Sequence, residues 1–144
     1  MYNTSYLNIK GFNMKIRVYY EDTDAGGVVY YANYLKFTER GRTEFLRNLG
    51  ISQFEIYKSL NIKFIVHSLS IEYINPSHLD DELTVDTSIE KINKASIEFS
   101  QNIFKSYDGK TIDIIKSKCI IVPINDESKI KPIPSIILNK IQES

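Results

Sequence analysis

The chain has 144 residues and a mass of 16.7 kDa, 42% of them hydrophobic and 25% charged, with 18 basic against 18 acidic side chains and a formal net charge of zero. That balance argues against a dedicated nucleic-acid binder, whose footprint is a basic excess. A single cysteine, Cys119, and two histidines, His67 and His78, exclude an intrachain disulfide and a four-ligand zinc site made of these side chains, and point to a reducing, cytoplasmic compartment.

One domain of this size buries roughly two thirds of its unfolded surface without such staples, and no apolar run approaches the ~20 residues of a membrane span. Residues 1–13 are polar, lack the apolar core of a signal peptide and read as a loose N-terminal extension. Residues 14–144 then form the domain, with Met14 as a second candidate start.

Lys15 to Tyr20 is short and rich in β-branched and aromatic residues, which predicts a strand ending at the turn-forming cluster Glu21 to Gly27. From Asn33 the period changes. Tyr34, Phe37, Gly41, Phe45 and Leu49 recur every three or four residues, with Lys36, Glu39, Arg40, Arg42, Glu44 and Arg47 on the other side and Gly50 as the stop. Period two then takes over. Leu69, Ile71 and Tyr73 alternate with polar residues until Asn75-Pro76, and Leu83, Val85, Thr87 and Ile89 do the same. Ala95 to Tyr107 follows a turn at Asn93-Lys94, and Asp108-Gly109 is a hairpin signal leading into a strand from Thr111 to Val122. Ile136 to Ile141 reads as a short helix beyond the prolines of the tail. The expected class is α+β, a five-stranded antiparallel sheet wrapped around one long helix.

Zero net charge conceals an asymmetry. Pro76 to Glu90 holds Asp80, Asp81, Glu82, Asp86 and Glu90 and no base, whereas Lys91 to Lys118 holds six lysines and three acids. Solvated strand faces account for this, and so does a basic rim meeting an anionic ligand.

The chemically informative stretch is Glu21-Asp22-Thr23-Asp24-Ala25-Gly26-Gly27, three acids in four residues beside a Gly-Gly pair and just ahead of a helix N-terminus. Helix N-termini present unpaired N–H groups and partial positive charge. A carboxylate with oriented amides is the minimum equipment for polarising a carbonyl and delivering a nucleophile. On residue types alone, an Asp before a helix is more often a cap and Gly-Gly in a loop more often just a turn, so spacing by itself does not settle the matter.

The run from Tyr20 to Tyr30, with Ala32-Asn33-Tyr34-Leu35 and Glu39-Arg40, resembles the signature of the hotdog-fold acyl-CoA thioesterases of the 4-hydroxybenzoyl-CoA thioesterase type, in their YbgC-like, Tol–Pal-associated branch. Tyr73-Ile74-Asn75-Pro76, Leu79-Asp80-Asp81, and Lys94 to Phe99 with Gln101 extend the likeness across Met14 to Val122. The resemblance implies hydrolysis of an acyl-CoA to free acid and coenzyme A, with no metal and no cofactor beyond the coenzyme A of the substrate. It places the catalytic carboxylate on Asp24, as nucleophile or general base. The polarising amide falls on the backbone N–H of Tyr31, and Tyr20 is an aromatic neighbour of the site. Gly26, Gly27 and Val28 would wrap the thioester, and Lys91, Lys94 and Ser96 would lie near the coenzyme's phosphates. A homodimer or homotetramer formed through sheet edges is expected, with acyl-carrier or envelope-associated proteins as possible partners.

Two positions depart from the pattern. Tyr31 stands where the branch usually carries histidine, which preserves the amide but not a histidine side-chain role, and Gly41 stands where the family prefers alanine. A hotdog dehydratase would need a histidine paired with a carboxylate, which the loop lacks. A non-catalytic acyl-binding or scaffold module is the remaining alternative. Glu39, His67 and His78 read as solvated or turn residues, and Cys119 as a small core residue.

Overall fold

The computed structural model describes residues 11–143. Strand β1 (Phe12–Arg17) is followed by a 3-10 turn (Tyr20–Asp22), helix α1 (Asn33–Asn48), helix α2 (Gln53–Leu60), strands β2 (Lys63–Tyr73), β3 (Glu82–Asn93), β4 (Ser96–Tyr107) and β5 (Lys110–Ile124), and helix α3 (Ser135–Gln142). The strands form one antiparallel sheet in the order β1-β3-β4-β5-β2, with α1 against it, the expected hotdog arrangement.

Several boundaries differ from the sequence reading. β1 begins at Phe12, so the last two residues of the predicted extension pair with Thr87 and Asp86; residues 1–10 lie outside the described part of the chain. Tyr20 belongs to the 3-10 turn because the Asp22 carboxylate accepts the Tyr19 N–H at 2.8 Å and bends the chain there. Helix α2 starts at the cap Ser52, whose Oγ takes the Glu55 N–H. None of its residues is buried, so it shows no core stripe to the periodicity.

β2 starts at Lys63 and carries a bulge between Val66 and Ser68 that breaks its alternation. It is a sheet edge, with Ile65, Val66, Leu69 and Tyr73 exposed in the single chain instead of packed under the helix. The Asp108-Gly109 hairpin forms as expected, both residues at positive φ (52° and 74°), with Tyr107 opposite Lys110.

The interior holds two apolar clusters. One gathers Val18, Val29, Tyr34, Phe37, Leu83, Val85 and Ile103; the other gathers Phe45, Leu46, Ile89, Phe99 and Cys119 with Ile137 and Ile141 of α3. Between them runs a transverse polar row. Thr87, Gln101 and Ser117 are consecutive register partners on β3, β4 and β5, and Thr38 and Arg42 face them from α1. Gln101 Nε2 donates to Thr38 O (2.8 Å) and Thr87 Oγ1 (3.0 Å), Arg42 donates to Gln101 Oε1 (2.9 Å), and Ser117 Oγ donates to Gln101 O (3.0 Å). Arg42 is therefore buried and not on the solvated face its charge suggested. Burial pushes the Cys119 thiol up, with the Arg42 charge only partly offsetting it, consistent with a core cysteine.

Candidate functional site

The acidic loop is a tight hairpin clamped to the sheet. Buried Val18 leads into it, trading hydrogen bonds with Asp80 and Asp81. Thr23 pairs with Val29, Asp24 N–H donates to Val28 O (2.9 Å) and Gly27 N–H to Asp24 O (3.0 Å). Gly27 sits at φ 80°, in the left-handed region that glycine enters without strain. The return strand is held from the other side: Val28 bridges His78, Val29 N–H donates to Ser77 O, and buried Tyr34 and Ser77 share a 2.6 Å hydroxyl hydrogen bond.

Asp24 is exposed at the rim of a depression of about 430 Å³ lined by Tyr20, Thr23, Asp24, Ala25, Gly27 and Leu79. Its Oδ1 accepts the Gly26 N–H at 2.8 Å, which fixes the carboxylate, and its other oxygen has no hydrogen-bond partner among the described residues. A side chain on Gly26 would crowd that contact, its Cβ falling 3.2 Å from Oδ1. Tyr20, 82% exposed, flanks the depression.

The approach to α1 determines which amides are available. Tyr30 O accepts the Asn33 N–H (2.8 Å), making residues 30–33 a turn with Tyr31 and Ala32 at its centre. The N-cap is Ala32, without a side-chain cap, and no acceptor among the described residues takes the Tyr31 N–H. This is the free donor that a helix N-terminus offers. The turn is tied to the acidic loop through Asp22, whose carbonyl accepts both the Tyr30 N–H (2.9 Å) and Asn33 Nδ2–H (2.9 Å). On its far side, Tyr73 Oη donates to Tyr31 O (3.2 Å).

Tyrosine rings surround this turn. Tyr30 and Tyr31 lie with centroids 4.8 Å apart, and the Tyr31 ring meets Tyr73 edge-on at 6.2 Å. The neighbouring Tyr31 hydroxyl pushes the Tyr30 phenol up, so it is neutral at physiological pH.

The carboxylate, glycines, Val28, Tyr20 and Tyr31 thus gather at one end of the sheet, whereas Lys91, Lys94 and Ser96 do not join them. These three stand at the opposite end of β3, beside the β3–β4 turn, where Asn93 Nδ2 donates to Ser96 Oγ (3.0 Å). At about 3.3 Å per strand residue the separation is roughly 30 Å. Lys105 and Lys118 of the basic stretch are neutralised by the acidic one, Lys105 on Asp81 (2.8 Å) and Lys118 on Glu90 (2.9 Å). His67 and His78 are exposed, as is Glu39, and no group of three metal-ligating side chains converges among the described residues. Among the described residues no helix is long and apolar enough to cross a membrane. The residues that sequence reading missed are Asn33, Tyr73 and Ser77, which touch the site only through contacts distant along the chain.

Residues 26–112 match the family model described as Thioesterase superfamily. Over 123 residues the chain is 41% identical to the acyl-CoA thioesterase YbgC of Haemophilus influenzae, covering 85% of this chain and 87% of that one. A probable thioesterase from Bartonella henselae is similar with a TM-score of 0.81 and 33% identity, over 87% of this chain and all of that one. The 4-hydroxybenzoyl-CoA thioesterase of Pseudomonas sp. strain CBS-3 shares the fold at a TM-score of 0.83 and 18% identity, over 90% of this chain and 98% of that one. With the family match spanning more than half its length and a relative this similar over most of both proteins, the chain belongs to the thioesterase superfamily.

Proposed function

We propose that the protein is an acyl-CoA thioesterase that hydrolyses a thioester to free acid and coenzyme A, with Asp24 as its carboxylate and the Tyr31 N–H polarising the thioester carbonyl. One observation carries this reading: a carboxylate with an unclaimed oxygen, held by the Gly26 N–H, stands two residues along the chain from Asp22, whose carbonyl fastens the turn with an unclaimed central N–H. The identity to the Haemophilus thioesterase supports the substrate class.

Two routes fit the geometry. As general base, Asp24 takes a proton from water while the hydroxyl attacks the carbonyl carbon; the oxyanion rests on the Tyr31 N–H, then collapses and expels the coenzyme A thiolate, which leaves protonated. As nucleophile, the carboxylate attacks the carbonyl carbon directly and the C–S bond breaks, expelling the coenzyme A thiolate; water then cleaves the resulting mixed anhydride, releasing the free acid, restoring the Asp24 carboxylate and supplying the proton the thiolate takes up. Either way the amide supplies stabilisation that in other enzymes amounts to about 3–4 kcal/mol per oxyanion donor. Tyr20, Gly26, Gly27 and Val28 border the thioester.

Lys91, Lys94 and Ser96 are too remote to serve the Asp24 of their own chain, so a phosphate-binding role for them requires an assembly. The exposed apolar edge of β2 supports a homodimer or homotetramer, since pairing it removes both apolar surface and unpaired strand groups from water. Acyl-carrier and envelope-associated partners fit the family branch, and a cytoplasmic location fits the single reduced cysteine.

Thiol release measured over short, long and aromatic acyl-CoAs, with Asp24→Asn as control, tests the proposal. Hydrolysis above the control is expected for at least one class, and none above it for any member overturns the enzymatic reading. Tight acyl-CoA binding without turnover would establish the second reading, an acyl-binding module, which the tyrosine at position 31 keeps in play.

A further inference from the structure

We infer that Asn33 is a positioning residue, setting the distance between the Asp24 carboxylate and the Tyr31 N–H by holding the first turn of α1 to the carbonyl of Asp22; this rests on the thioesterase reading above. Asparagine at a helix start ordinarily caps the helix with its own side chain. Here it does not: the N-cap is Ala32, and the Asn33 amide reaches back eleven residues to Asp22 O at 2.9 Å.

The connection closes a ring. Asn33 N–H donates to Tyr30 O, Tyr30 N–H donates to Asp22 O, and Asn33 Nδ2–H donates to that same Asp22 oxygen. Tyr31 thereby keeps its N–H unclaimed among the described residues at the centre of a turn gripped at both corners, and the grip is Asp22, two residues of chain from Asp24. Asp22 is itself anchored, its carboxylate accepting the Tyr19 N–H. Half-buried Asn33 touches neither the carboxylate of Asp24 nor the depression beside it, so it acts through the backbone it fixes. Misplacement of catalytic groups by about 1 Å can cost on the order of a hundredfold in rate.

The test uses the full chain. Asn33→Ala and the near-isosteric Asn33→Asp, which keeps the side-chain shape and removes the donor, are compared with wild type for kcat and KM on the best acyl-CoA of the panel. Amide hydrogen exchange over residues 22–31 is measured alongside. We expect kcat to fall at least about tenfold with KM within about twofold, and exchange in that segment to quicken. If Asn33→Ala does not fold, Asn33→Asp carries the comparison. A kcat within twofold of wild type, a loss expressed in KM alone, or unchanged exchange at residues 22–31 overturns the inference. A wild type no more active than Asp24→Asn overturns the thioesterase reading instead, and the exchange data then decide separately whether Asn33 couples loop to helix.

Discussion

Gly41 of α1 passes so close to Thr87 of β3 that a methyl group built on it would sit 2.8 Å from Thr87 Oγ1, with Val85 Cγ1 at 2.8 Å and Gln101 Nε2 at 2.9 Å. This glycine, which stands where the family prefers alanine, therefore sets how closely the helix approaches the sheet. Alanine there gains about 1 kcal/mol of propensity but meets overpacking that typically costs about 1–3 kcal/mol. Gly41→Ala should lower the urea midpoint by an amount equivalent to about 1 kcal/mol; a raised midpoint contradicts this.

Asp24→Asn should reduce kcat by about 10²-fold or more while leaving the thermal midpoint within a degree or two. The carboxylate is exposed, and its bond from Gly26 can be accepted equally by the amide oxygen. A steady-state assay and a melting curve on the same sample separate the two effects, and comparable turnover by the variant removes Asp24 from the mechanism.

Tyr34 packs on Phe37 and shares its hydroxyl with Ser77, a residue with no exposed surface. Burial, the leading influence, pushes the Tyr34 phenol up, so it is neutral and able to donate. Tyr34→Phe strands the Ser77 hydroxyl in the core beside the loop that carries Val28 and Val29. A loss of about 1–3 kcal/mol is expected in chemical denaturation, and a change below about 0.5 kcal/mol shows that Ser77 finds another partner.

Burial alone would push the Asp81 carboxyl up, but hydrogen bonds from Lys105 and from the His78 backbone N–H, together with their charges, hold it below the ordinary carboxylate range. Its folded pKa is depressed, so its contribution to stability is complete above the unfolded value of about 3.9 and is lost as pH falls through the folded one. Asp81→Asn should accordingly be less stable than wild type at neutral pH, with the difference narrowing below about pH 4. Denaturation midpoints from pH 7 to pH 2.5 give the comparison; a gap that widens on acidification has the wrong sign.

The apolar edge of β2 predicts that the wild type sediments as a dimer or tetramer. Leu69→Lys, which places a charge on that edge, should shift it toward monomer, since edge lysines discourage strand pairing. Sedimentation velocity at micromolar concentration reads this directly, and an assembly indifferent to the substitution places the contact elsewhere.

Helix α1 and strands β3 to β5 were legible because each buries one face, so the periods of Tyr34-Phe37-Gly41-Phe45 and of Leu83-Val85-Thr87-Ile89 record the packing directly. β2 and α2 were harder, because an edge strand with a bulge and a helix with no buried residue obey no core period. The Ser52-Gln53-Phe54-Glu55 cap pattern was the available local sign of α2. Within the candidate site, the acidic loop and its glycines stood out by local chemistry, and the family resemblance singled out Asp24 among its three acids. Asn33, Tyr73 and the buried Arg42 did not, since their partners Asp22, Tyr31 and Gln101 are met only once the chain has closed on itself. Arg42 in particular sits at a helical position whose charge argues for solvent, and its hydrogen bond to the side-chain oxygen of Gln101 on the facing strand β4 offsets part of the cost of its burial.

The polar row of Thr38, Arg42, Thr87, Gln101 and Ser117 acts as a bulkhead. On one side lie the side chains beneath the acidic loop, and on the other those that seat the C-terminal helix. A repacking on the first side meets a fixed wall of directional bonds before it reaches the second. On the proposed reading, the half beneath the acidic loop is thus free to be resculpted for a wider or narrower acyl group while the other half keeps the chain folded, a division of labour within one small interior.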